Sequence, residues 1–208
     1  MIEDFATSFA TMFVMIDPIG LTPMFAALTA GMTLRERAVI GGRGVLVAGL
    51  VLLIFGMVGD RLLDTIGVSL PAFRIAGGIM LFLLSIEMVF QKRTERREKE
   101  TDAAVDAPDP SVFPLATPLI AGPGALAAII LLAAEHQGGV QDQFVVYLAT
   151  FSVLVICFMA FLLTEMIERL LRPTGIKVLT RLFGLLLGAL AVQFILDGAT
   201  DYWSNITL

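Results

Sequence analysis

Long apolar runs separated by short polar stretches make up almost the whole chain. Runs near 5–30, 38–59, 71–91, 111–134, 144–165 and 178–197 are interrupted by few charges, and each reaches the roughly 20 residues that carry a helix across hydrocarbon. The pattern predicts an all-α polytopic membrane protein with six transmembrane helices in a single membrane domain, 1–208. The longest polar stretch, "QKRTERREKETDAAVDAPDPS" at 91–111, divides the chain nearly in half. It reads as a charged, solvated cytoplasmic linker, 92–110, in preference to a helical extension of the third run through Glu95 and Lys99, spaced i to i+4, and it lies between a first three-helix repeat, 1–91, and a second, 111–208.

The halves echo one another where they are least ordinary. "DPIGLTP" (17–23) and "TPLIAGP" (117–123) each place a polar residue and a proline five positions before a second proline, near the middle of the first run of each half. "RIAGGIMLFLL" and "RLFGLLLGALA" then open the third and sixth runs, matching Arg74 and Gly77 with Arg181 and Gly184. Copies of a three-span unit lie in opposite orientations, so the repeat is expected to be inverted.

A straight helix over 5–30 would be roughly 39 Å long, more than the ~30 Å of hydrocarbon. Breaks in helices 1 and 4 relieve that mismatch. Proline removes a backbone donor and crowds the preceding turn, and glycine loosens the backbone. Asp17-Pro18, Thr22-Pro23, Thr117-Pro118 and Gly122-Pro123 all read as an N-cap followed by proline at the first helical position. Two half-helix starts meeting at the midplane would attract an anion such as a carboxylate, while Asp17 would accept an ammonium, a proton or Na⁺. A free amino acid satisfies both features. The expected substrate site comprises Asp17, Pro18, Ile19, Gly20, Thr22 and Pro23 from one break, and Thr117, Pro118, Ala121, Gly122, Pro123 and Gly124 from the other. The plainer reading makes Asp17 only a cap and the prolines only kinks. Gln193 and Glu87 are secondary candidates, with helix-to-helix bonding and interfacial pairing as their alternatives.

Composition sharpens this picture. The chain is 57% hydrophobic with a mean hydropathy of +0.88, beyond the roughly 45–50% apolar content of soluble domains. The first run has an acidic flank, "MIED", and is expected to remain in the membrane rather than act as a cleaved signal. Its single His136 and single Cys157 exclude a His/Cys-rich metal site, and Cys157 has no intrachain disulfide partner. No cofactor, nucleic-acid motif or nucleophile–base constellation is evident, so no enzymatic activity is expected. Arg35, Arg37, Arg43, Lys92, Arg93, Arg96, Arg97, Lys99, Arg169, Arg172, Lys177 and Arg181 fall on one side of a six-span topology, against Arg61 and Arg74 on the other. That asymmetry places both termini outside the cell or in the periplasm.

In combination, "DPIGLTPMF", "RIAGG", "PLIAGPGALA" and "GLLLGALAVQFILDG" resemble the MarC family of bacterial and archaeal inner-membrane proteins over nearly the whole chain. The resemblance implies two inverted three-helix repeats with broken first and fourth helices, and transport of small neutral amino acids such as alanine or glycine. Carried over by position, it assigns the site to the Asp17–Pro23 and Thr117–Gly124 breaks. H⁺ or Na⁺ is the coupling ion to test, and the oligomeric state is open. The alternatives are an exporter of another small solute or drug, and a non-transport membrane assembly or sensor protein.

Overall fold

Helix accounts for all regular secondary structure in the computed structural model, which describes residues 1–102, 109–135 and 140–206. Helices α1 (Ile2–Ile16), α2 (Thr22–Leu28), α3 (Leu34–Ile66), α4 (Leu70–Val89) and α5 (Lys92–Asp102) precede a π-helical segment, Ser111–Ile120. Helices α6 (Pro123–Glu135), α7 (Val140–Leu162) and α8 (Thr164–Ile206) complete the chain. His136, flagged in the sequence, lies outside the described residues.

Four helices, α3, α4, α7 and α8, are long and apolar enough to cross a membrane. The π-helical segment and α6 meet at a bend of 59° and, counted as one broken span, make a fifth candidate. Their outward surfaces carry large side chains such as Leu46, Phe151, Leu185 and Leu196; in a membrane these face acyl chains rather than water. With no water to drive helices together there, close contact depends on small residues. The most extensive helix pair, α4 with α8, shows this. A Cβ on Gly78 would lie 2.8 Å from the Ala191 carbonyl oxygen, and one on Gly198 would lie 2.9 Å from that of Pro71.

Both interruptions foreseen in the sequence are present. α1 ends at Ile16 and α2 starts at Thr22; the π-helical segment ends at Ile120 and α6 starts at Pro123. Phe113 and Thr117 are extended rather than helical, and each precedes a cis proline, Pro114 and Pro118. α8 has its own discontinuity at Arg172-Pro173, where Arg172 has φ 52°.

The expectation of a solvated loop after the third run is corrected by α5. Gln91 turns the chain with φ 63°, and residues 92–102 then form a helix that packs against α2, α4 and the π-helical segment. Arg93, Arg97 and Thr101 are buried. Spaced four apart, they form one stripe along the helix, while Lys92, Glu95 and Lys99 remain exposed. Helical periodicity hidden within a uniformly charged composition sends these two arginines into the protein.

Candidate site at the two helix breaks

The first break is a tight turn built by Asp17. Asp17 caps the C-terminus of α1 in the left-handed conformation, φ 55° and ψ 63°, with its N–H donating to Phe13 O. Aspartate visits that conformation because its short carboxylate bonds locally. Here Asp17 Oδ1 accepts from the Gly20 amide at 3.1 Å. Asp17 is therefore a C-cap, which corrects the N-cap expected from Asp17-Pro18. α2 uses Leu21 as its N-cap, with Thr22 and Pro23 at its first two positions. The Thr22 hydroxyl donates to Ile19 O at 2.8 Å. Pro18, Gly20 and Thr22 are buried, whereas Ile19 and Pro23 are half-buried.

The second break divides differently. Gly122 directly precedes Pro123, and its carbonyl accepts from the Leu126 amide at 3.0 Å, the N-cap arrangement expected from Gly-Pro. Thr117-Pro118 does not begin a helix: Thr117 is extended, φ −136° and ψ 122°, and its side chain is exposed. Ala121 is buried, Pro118, Gly122 and Gly124 are half-buried, and Pro123 is exposed.

Arg97 joins the breaks. Its Nη1 lies 3.4 Å from Asp17 Oδ2, and its Nη2 donates to Ile16 O at 3.2 Å and Leu119 O at 3.3 Å. Ile16 ends α1 and Leu119 lies in the last turn of the π-helical segment. One guanidinium thus meets freed carbonyls from both interrupted elements, as the negative ends of helix dipoles favour. One turn earlier, Arg93 donates to Met15 O and to the Met88 sulfur. Asp17 and Arg97 are 1% and 5% exposed. The cation beside Asp17 is supplied by the chain itself, from α5, whose charged sequence predicts a solvated linker.

A cavity borders each break. One of about 340 Å³ lies against Gly20 and Pro23, walled by Thr94 and Glu98 of α5 and by Lys177 and Thr180 of α8. Another, of about 480 Å³, lies against Pro118, Gly122, Pro123 and Gly124. Its charged wall is Glu87, Arg93, Arg96, Arg97 and Glu100. Glu87 pairs with Arg96 at 2.9 Å. Among the described residues, the α6 half-helix start borders this charged cavity together with the arginines of α5, while the residues around the α2 start, Gly20 and Pro23, border the other cavity. Gln193 belongs to neither place: it is exposed and donates to Asp197 Oδ1 at 2.7 Å, one turn along α8.

Sequence comparison agrees over almost the full length. A profile of MarC family integral membrane proteins matches residues 2–203. A UPF0056 membrane protein of Methanocaldococcus jannaschii is 37% identical over 198 residues, covering 95% of this chain and 96% of the relative. One from Archaeoglobus fulgidus is 36% identical, covering 95% and 92%. The UPF0056 membrane protein YhcE of Escherichia coli is 34% identical, covering 91% and 89%. No solved structure matches the chain. Apolar helices of spanning length, interrupted elements tied together at one point and this full-length similarity have a single consequence: the chain belongs to the MarC family of integral membrane proteins.

Proposed function

We propose that this protein is a secondary transporter of small neutral amino acids, alanine or glycine in type, that exposes a site between its helix breaks to each side of the membrane in turn. In this reading α1–α2 and the bent pair Ser111–Ile120 with α6 act as the first spans of two inverted three-helix repeats, giving six spans. α3 and α4 complete the first repeat; α7 and α8 complete the second. The basic segments face the cytoplasm of a bacterial or archaeal cell, and both termini face outward.

The observation that carries the reading is the charged cavity of about 480 Å³ beside the second break. Its size falls in the range of roughly 300–1,000 Å³ usual for small-molecule sites. Guanidinium and carboxylate groups share its wall, as a zwitterion requires, and ionisable groups among membrane helices mark substrate or ion pathways. Arg97 adds a reason for motion, since a single side chain holds both breaks and its release would let them separate.

Uptake of labelled alanine and glycine into liposomes carrying the purified protein tests the reading. Internal amino acid, a pH gradient and a Na⁺ gradient are imposed separately. Saturable uptake suppressed by unlabelled alanine is expected, and the effective gradient identifies the coupling ion. Uptake no greater than in empty liposomes, from folded and inserted protein, would overturn amino acid transport.

A further inference from the structure

Arg93 and Arg97 are both buried, at 6% and 5% exposure, but only Arg97 has a carboxylate partner. Among the described residues no acidic oxygen lies within the 4.0 Å ion-pair distance of Arg93. Its hydrogen bonds are to Met15 O and the Met88 sulfur, which leaves donors of the guanidinium over. Asp17 and Glu87 act on Arg93 only from beyond ion-pair distance, and a buried cation with no anion in direct contact is expensive unless one joins it.

The space for that anion adjoins it. Arg93 lines the cavity of about 480 Å³ together with Gly124 and Ala125, in the first turn of α6. Pro123 has no N–H, so the amides of Gly124 and Ala125 are the first donors at this helix start, where an anion is favoured. A Cβ on Gly124 would lie 2.5 Å from Met15 Cε and 2.7 Å from Leu84 Cδ2; glycine therefore lets the start of α6 pack closely against α1 and α4 at the edge of this cavity. Glu100 lies on the same wall, half-buried, and it also lacks a basic partner within 4.0 Å among the described residues.

We propose that Arg93, with the first amides of α6, binds the α-carboxylate of an amino acid in this cavity, while Glu100 receives its ammonium group. The amino acid as ligand rests on the transporter reading; the carboxylate site rests on Arg93 and the cavity. Arg97 is already committed to Asp17 and two carbonyls, so it holds the breaks while Arg93 holds substrate.

Titration calorimetry on the purified full-length protein in detergent tests this with alanine, propionate, which lacks the ammonium, and alaninamide, which lacks the carboxylate. Wild type is expected to bind alanine and propionate but not alaninamide. Arg93→Gln should weaken both by at least about tenfold, as loss of a desolvated charge partner does, and Arg93→Lys should recover part of the loss. Glu100→Gln should weaken alanine while sparing propionate. Should Arg93→Gln fail to fold, the selective effect of Glu100→Gln still decides: equal effects on alanine and propionate would overturn the assignment. So would undiminished binding by folded Arg93→Gln, alaninamide binding as tightly as alanine, no binding of either carboxylate by wild type, or chloride displacing propionate at equal concentration. Alanine binding through Arg93 without uptake into liposomes would keep this site and overturn the transporter; uptake unaffected by Arg93→Gln would do the reverse.

Discussion

Removing both charges of the Asp17–Arg97 pair together should destabilise the protein by clearly less than the sum of the two single removals. At 3.4 Å, two unit charges attract by roughly 5 kcal/mol if the effective dielectric constant is about 20. That attraction is offset by desolvation of two side chains with 2% and 6% exposure, so the net worth of the pair is small even though breaking it is costly. Truncating one partner of a buried pair typically costs about 3–5 kcal/mol. Arg97 would retain the carbonyls of Ile16 and Leu119, which places Asp17→Asn near the lower end, at about 2–3 kcal/mol. Asn also preserves the left-handed turn and can accept from the Gly20 amide. Arg97→Gln leaves a buried carboxylate with that amide and the more distant Arg93 cation, for a loss of about 3 kcal/mol. The double variant Asp17→Asn/Arg97→Gln strands no charge and should fall short of the summed losses by at least about 1.5 kcal/mol. Equilibrium unfolding in mixed micelles, followed by far-ultraviolet circular dichroism, supplies the four stabilities. Losses additive to within about 0.5 kcal/mol would refute the bridge between the breaks.

Other consequences are more local. Gly122→Ala places a Cβ 2.6 Å from the Pro118 carbonyl oxygen; the second break must shift, lowering stability by about 1–3 kcal/mol in the same unfolding assay. Gln193→Ala removes only an exposed bond within α8 and should change stability by less than about 0.5 kcal/mol, and alanine uptake not at all. At Asp109, the Ser111 hydroxyl and amide hold the carboxyl below the ordinary carboxylate range. The folded value is depressed, so this contribution is complete above the ordinary range and is lost as pH falls through the folded value. Carbon-13 NMR of the carboxyl should give a low midpoint that Ser111→Ala moves upward; a midpoint unchanged by that substitution would remove the assigned cause.

The apolar elements and both interruptions are legible in the sequence because length, proline and glycine act locally. The partners of those interruptions are not. Asp17-Pro18 fits an N-cap and proline start as readily as the C-cap and turn that form, since aspartate suits both and tertiary packing chooses. Lys92 to Asp102 reads as solvated because nearly every residue is charged, yet Arg93, Arg97 and Thr101 are buried. Their spacing of four was a visible helical signal, and the freed carbonyls of two broken helices supply the physical demand for buried guanidinium. Thr117 is exposed rather than turned inward, because the extended residue precedes Pro118 in a segment whose true helix start is Gly122-Pro123.

Ala125 offers the most direct measurement of alternating exposure, because it lines the charged cavity and follows the second break. Ala125→Cys is introduced with Cys157→Ala, which removes the single native cysteine, itself buried. A membrane-impermeant maleimide is then applied from each face of oriented vesicles, with and without saturating alanine. Alanine is expected to slow labelling, and a transport gradient to change which face gives access. Labelling indifferent to alanine and to the gradient, in protein that still takes up alanine, would contradict the placement of the substrate path beside the second break.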